Sequence, residues 1–95
     1  MLVERMETRI ILTRHAKTRI MERNIGLDEV LEALREPVQI VYDRWNDVYI
    51  AVGSRGIGVV YAWRGAFTEI LTVLRRREYE ALMKKHGYKR YRVLA

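Results

Sequence analysis

The 95-residue sequence has no cysteine, one proline and two histidines. Without cysteine, disulfide bonds and thiolate zinc sites are excluded, and His15 and His86 are too few for a histidine-based metal site. We therefore expect neither a metal nor a cofactor. No apolar run approaches the ~20 residues of a membrane-spanning helix, and the first residues lack the apolar stretch of a signal peptide. The sequence thus predicts a cytoplasmic location and no membrane partner.

Side-chain amides are also scarce, since only Asn24, Gln39 and Asn46 carry them, whereas arginine and glutamate are abundant. This composition is typical of proteins from thermophiles. Hydrophobic residues make up 49% of the sequence and charged residues 32%. A chain of this length and composition predicts one globular domain, residues 1–95. Met6 is as suitable a start codon as Met1, so residues 1–5 receive no predicted role.

Two short helices are predicted within residues 12–37. Thr13 is a suitable N-cap for a helix over residues 14–23, because its hydroxyl can accept a hydrogen bond from a first-turn amide. A second helix is predicted to begin after Gly26, which is a suitable N-cap residue. It ends before Pro37, because proline pushes the preceding residue out of the helical region.

Short runs rich in β-branched and aromatic residues predict the strands. One strand, Arg9–Leu12, precedes the helix pair, and four strands joined by short turns follow it. These four cover residues 38–42, 48–52, 57–63 and 67–74. A third helix is predicted over residues 77–86, and residues 88–94 can form either an edge strand or a loop. Helices segregated from hairpin-linked strands predict an α+β fold with a four-stranded, mainly antiparallel sheet.

The excess positive charge lies in the last 21 residues. Residues 1–74 contain ten basic and ten acidic side chains, so the net charge of +6 comes from residues 75–95. Basic residues interleaved with tyrosines are typical of a nucleic-acid interface. The predicted nucleic-acid-binding residues are Arg75, Arg76, Arg77, Lys84, Lys85, Lys89, Arg90 and Arg92. The alternative is a solvated basic helix and tail that keep the protein soluble.

Within residues 11–74, the pattern T-x-H-A-x-x-R-x-x-x-R resembles a prokaryotic family of small domains of unknown function, number four-two-five-eight in its series. The residues that match its motif are Thr13, His15, Ala16, Arg19, Arg23, Ile25, Val30, Leu34, Pro37 and Asp43. That family is similar to the RelE and BrnT toxins, small α+β ribonucleases of toxin–antitoxin pairs that cleave RNA without metal. The resemblance implies a RelE/BrnT-like fold, RNA as a partner and an antitoxin protein as a second partner. The basic residues 75–95 lie outside it, and no RelE catalytic motif maps onto this sequence.

The predicted catalytic residues are His15, Arg19, Arg23 and Tyr61. His15 is the second residue of its helix, where the positive end of the helix dipole favours a neutral imidazole that can accept a proton. Arg19 and Arg23 would clamp the phosphate, and either Tyr61 or the His15 imidazolium would serve as the acid.

A structural alternative explains the same motif residues. In it, His15 is partly buried and bonded to Asp43 or to a strand carbonyl. Arg19 and Arg23 then pair with Glu22 or Asp43 and pin the helices to the sheet.

Three functional interpretations follow from the sequence. The first is a RelE/BrnT-like toxin-type RNA-binding protein, with metal-independent endoribonuclease activity as its catalytic form. The second is a nucleic-acid-binding module without activity. The third is a protein-interaction module that forms homodimers through an exposed sheet edge.

Overall fold

The chain forms one strand, two helices, four consecutive strands, a third helix and a last strand, in that order. The computed structural model describes residues 9–95, so the first eight residues, including the alternative start Met6, lie outside it. The strands are β1 Arg9–Leu12, β2 Gln39–Asp43, β3 Val48–Val52, β4 Gly58–Trp63, β5 Phe67–Leu74 and β6 Tyr91–Val93. The helices are α1 Arg14–Glu22, α2 Leu27–Arg35 and α3 Arg76–His86, followed by a 3₁₀ turn, Gly87–Lys89.

The six strands form one mixed sheet in the order β1-β5-β4-β3-β2-β6. Strand β1 pairs in parallel with β5, and the other neighbouring strands are antiparallel. The α+β class is therefore confirmed, but the prediction of four strands in the sheet is wrong. The chain adds β1 to one edge and β6 to the other, because the backbone groups of β5 and β2 would otherwise lack partners there.

Helices cover both faces of the sheet, and each face has its own core. We call them the α1/α2 face and the α3 face. Buried residues of the α1/α2 face include Ala16, Val30 and Ile70, whereas Val41 and Tyr79 are buried on the α3 face. Within residues 9–95, no helix combines the length and apolar character needed to cross a membrane.

The start of α1 is held against β5 by the N-cap. The Thr13 hydroxyl accepts a hydrogen bond from the Ala16 amide at 3.0 Å and donates one to the Leu71 carbonyl at 3.2 Å. The Thr13 amide also donates to the Ile70 carbonyl at 3.1 Å, which extends the β1–β5 pairing by one residue. The predicted cap is confirmed, and it places the first turn of α1 at the sheet edge.

Candidate nucleic-acid interface

Two of the predicted catalytic residues, His15 and Arg19, are in contact on the first turns of α1. His15 is exposed, and its Nε2 accepts a hydrogen bond from Arg19 Nε at 3.4 Å. This is a long hydrogen bond, and it requires an Nε2 atom that carries no proton. The pair therefore places an imidazole ring nitrogen beside a guanidinium at the protein surface.

Asp43 and the strand carbonyls, the partners that the structural alternative names for His15, make no hydrogen bond with it within the described chain. His15 therefore does not anchor α1. Among the motif residues, Arg23, one turn beyond Arg19, anchors the end of this helix.

Arg23 binds the carboxylate of Glu78 on α3. Its Nε lies 2.8 Å from Oε1, and its Nη2 donates to Oε2. Glu78 Oε1 also accepts a hydrogen bond from the Arg75 amide at 2.9 Å. The bonds from Arg23 lower the pKa of Glu78 to about 2, against a smaller opposing effect of burial, and the same pairing raises the pKa of Arg23. Arg23 therefore ties α1 to α3, and Glu22, at 3.7 Å, is a lesser partner.

Four arginines meet where α1 ends and α3 begins. They line an open cleft of about 670 Å³ together with Glu78 and Glu80. We call this the arginine cleft, and its arginines are Arg23, Arg75, Arg76 and Arg77. Arg75 donates to the carbonyls of Arg23 and Asn24, which close the turn after α1.

Two further arginines of the cleft differ in how they are paired. Arg76 Nε lies 3.1 Å from Glu80 Oε2. Arg77 is exposed and makes no hydrogen bond or ion pair with another residue of the described chain. The cleft therefore holds more positive than negative charge, and Arg77 carries an unneutralised part of it.

Arg90 differs from the other basic residues of the C-terminal segment because it is bound to a buried carboxylate. Its Nε and Nη2 bind Asp43, which is only 3% exposed, at 3.1 Å and 3.0 Å. Burial opposes ionisation of this carboxyl, but hydrogen bonds from Arg90, Asn46 and the Trp45 amide outweigh it and lower the pKa of Asp43. The Arg90 guanidinium also lies about 5 Å from the ring centres of Trp45 and Tyr91. Its charge is thus neutralised inside the fold.

Tyr61 lies in a row of tyrosines that crosses three strands. Its ring stacks on Tyr49 with centroids 5.6 Å apart, and Tyr49 contacts Tyr42 at 5.2 Å. The backbone of Tyr61 pairs with Ile70, whose carbonyl accepts the Thr13 amide, so Tyr61 lies two strand spacings, about 10 Å, from the start of α1.

Tyr42 and Tyr49 are candidate functional residues that the sequence reasoning missed. Each stands on a predicted strand, but only the strand register shows that they share a face with Tyr61. The alternation of side chains between the two faces of each strand was the sequence signal that could have identified them.

The remaining predicted RNA-binding residues, Lys84, Lys85, Lys89 and Arg92, are all exposed. They form no ion pair with residues 9–95. The lysines lie at the end of α3 and in the turn after it, and Arg92 lies on β6. Within the described chain, no three His, Asp or Glu side chains are grouped to hold a metal ion.

The fold and its charges define a small α+β domain with a six-stranded mixed sheet, helices on both faces and a basic C-terminal segment. No family model, curated protein or solved structure matches this chain. The likeness to the four-two-five-eight family and to the RelE and BrnT toxins stays a prediction.

Proposed function

We propose that the protein binds RNA through its C-terminal segment, as a toxin-type RNA-binding protein of the RelE/BrnT kind would. One observation carries this proposal. Both carboxylates of residues 75–95 are already bound to arginines, Glu78 to Arg23 and Glu80 to Arg76. Six exposed cations of this segment have no carboxylate partner in residues 9–95, namely Arg75, Arg77, Lys84, Lys85, Lys89 and Arg92.

Unneutralised cations on one short segment favour the binding of a polyanion. Each phosphate that such a cation neutralises releases a condensed counterion, so the affinity falls as the salt concentration rises. For single strands the logarithm of the binding constant falls by about 0.7 per phosphate contact for each tenfold rise in salt. Binding that uses several of these cations is therefore strongly salt-dependent.

Fluorescence anisotropy with a labelled RNA at several salt concentrations tests the proposal. The variant with Lys84, Lys85 and Lys89 all changed to alanine should bind more weakly, with a salt slope reduced by about 2. The matched control is Lys17→Ala with Arg35→Ala, which removes exposed cations from α1 and α2. If the control weakens binding as much per charge removed, the segment is not a specific interface.

A second candidate, metal-independent endoribonuclease activity, is favoured by the contact between His15 and Arg19. His15 would take the proton of a 2′-hydroxyl, whose oxygen then attacks the phosphorus. Arg19 would stabilise the charge that develops on the phosphate. The 5′-oxygen leaves with a proton from the His15 imidazolium or from Tyr61, and the products are a 2′,3′-cyclic phosphate and a 5′-hydroxyl end.

Cleavage of a labelled RNA in the presence of a metal chelator tests the catalytic form. His15→Ala should abolish cleavage and leave RNA affinity within about twofold, whereas the control Lys17→Ala should retain both. Equal cleavage by His15→Ala and wild type would exclude this mechanism.

Toxin behaviour and an antitoxin partner belong to the same proposal. Induced expression in a bacterial host should arrest growth and degrade RNA, and His15→Ala should relieve both. Co-expression of the product of an adjacent reading frame should restore growth if that product is the antitoxin. Normal growth with intact RNA would instead support the binding module without activity.

A further inference from the structure

We propose that the part of the α1/α2 face that the helices leave open is a stacking platform for bases of single-stranded RNA. The platform consists of Tyr42, Tyr49, Tyr61 and Trp63, with Arg92 at its edge. This inference rests on the proposed RNA binding and adds to it a second surface and a substrate class.

The strand register aligns these residues across the whole sheet. Directly paired residues of neighbouring strands project from the same face. The pairings join six residues into one row, which runs Leu12–Ile70–Tyr61–Tyr49–Tyr42–Arg92. Every strand of the sheet contributes one residue to it. Trp63 lies two residues beyond Tyr61 on β4 and therefore projects from the same face.

Burial divides this row into a covered end and an open end. Leu12 and Ile70 belong to the core beneath α1 and α2. The three tyrosines are each partly exposed, Trp63 is 48% exposed, and Arg92 is exposed. The exposed aromatic residues thus lie just outside the area of the sheet that α1 and α2 cover.

The adjacent row of the same face shows why the platform ends there. It contains Ala51, Val59 and Val73, which are almost completely buried. The helix α2 packs on β3 and β4 at this level. Small and β-branched residues therefore occupy the covered row, whereas tyrosines occupy the partly exposed end of the other row.

The chemistry of the open row suits nucleobases. The rings of Tyr42, Tyr49 and Tyr61 follow one another across β2, β3 and β4 at centroid spacings of 5.2 Å and 5.6 Å, the first pair tilted and the second stacked. Bases of any sequence can stack on such rings, but only where the strand is single, because a duplex keeps its base faces covered. The carboxylate of Asp47 accepts a hydrogen bond from the Tyr42 hydroxyl at 2.6 Å.

Arg92 connects the platform to the basic C-terminal segment. It is directly opposite Tyr42, and it lies three residues after Lys89. A strand whose bases lie on the tyrosines can therefore place a phosphate at Arg92 and continue towards the cations of the segment. This charge complementarity selects RNA as the occupant of the sheet face.

The test compares a 12-nucleotide single-stranded RNA with a 12-base-pair RNA duplex, using wild type, Tyr49→Leu and Tyr49→Phe. Tyr49→Leu removes the central ring and keeps an apolar side chain, whereas Tyr49→Phe keeps the ring. Tyr49→Leu should weaken binding of the single strand about tenfold and change duplex binding less than twofold. Tyr49→Phe should bind both RNAs as wild type does.

Wild-type NMR provides a readout that does not depend on the folding of a variant. Addition of the single strand should shift the ring protons of Tyr42, Tyr49 and Tyr61 through the ring currents of stacked bases. Rings that do not shift when RNA is bound would overturn the platform.

Other outcomes separate the two proposals. If wild type binds the single strand and only the lysine variant loses affinity, the platform fails while the proposed function stands. If wild type binds neither RNA, the proposed function fails as well. If sedimentation shows a dimer that Tyr49→Leu abolishes, this face binds a second copy of the chain. That result would overturn the platform.

Discussion

Arg90 donates two hydrogen bonds to Asp43, from Nε to Oδ1 at 3.1 Å and from Nη2 to Oδ2 at 3.0 Å, although 47 positions separate the two residues. The next residue, Tyr91, begins β6 and pairs with Asp43 itself. The ion pair therefore holds β6 against β2, and Arg90 contributes to stability rather than to the surface charge.

Substitution by alanine should lower the stability of the protein at Arg90 and weaken RNA binding at Arg92. Arg90→Ala leaves a buried carboxylate without its cation, so we expect the free energy of unfolding to fall by about 3 kcal/mol. Arg92→Ala should leave stability within about 0.5 kcal/mol of wild type and reduce the salt slope of single-stranded RNA binding by about 0.7. Chemical denaturation and anisotropy measure the two effects, and equal loss of stability in both variants would contradict this assignment.

The Arg23–Glu78 pair should make stability depend on pH in the acid range. The folded state lowers the pKa of Glu78 from 4.5 to about 2. Its contribution is therefore complete above pH 4.5 and is lost as the pH falls towards 2. Because Glu78 is partly exposed, Glu78→Gln should lower stability at pH 7 by roughly 1 kcal/mol and flatten the dependence below pH 4.5.

Glu80→Gln is the matched control for that experiment, since Glu80 binds Arg76 with both side chains largely exposed. Its stability should follow the wild-type pH profile closely. A profile of Glu78→Gln that is no flatter than that of Glu80→Gln would show that the Arg23 pair does not produce the acid sensitivity.

Gly53 allows α2 to lie close to the end of β3. A Cβ atom at this position would lie 3.0 Å from Ala33 Cβ and 3.2 Å from Ala33 Cα. The helix backbone would have to move, so Gly53→Ala should destabilise the protein by about 1–3 kcal/mol. Thermal unfolding measures this, with Ser54→Ala at the exposed next position as the control that should change little.

His15→Ala should have almost no effect on stability, within about 0.5 kcal/mol, because His15 is exposed and its hydrogen bond to Arg19 is long. Thr13→Ala, two residues earlier, should cost about 1 kcal/mol because it removes the cap. Thermal unfolding of both variants checks this. A destabilisation by His15→Ala as large as that of Thr13→Ala would support the structural interpretation of the motif.

The helices and most strands could be predicted because their signals are local. The cap Thr13 and the breaker Pro37 limit the helix pair to within one or two residues, and β3 and β5 match their predicted bounds. A cap or a proline acts on its own turn of chain, so neighbouring residues carry the information. The attachment of β1 and β6 to the sheet edges has no such local signal.

The α+β class, the helix boundaries and the concentration of positive charge after residue 74 follow from the order of the residues. Which charges are neutralised depends on the folded chain, because a guanidinium pairs with whichever carboxylate the fold brings near it. Arg23 thus meets Glu78 across 55 positions, and Arg90 meets Asp43. The tyrosine row likewise exists only through strand register, which a shift of one residue would reverse to the other face.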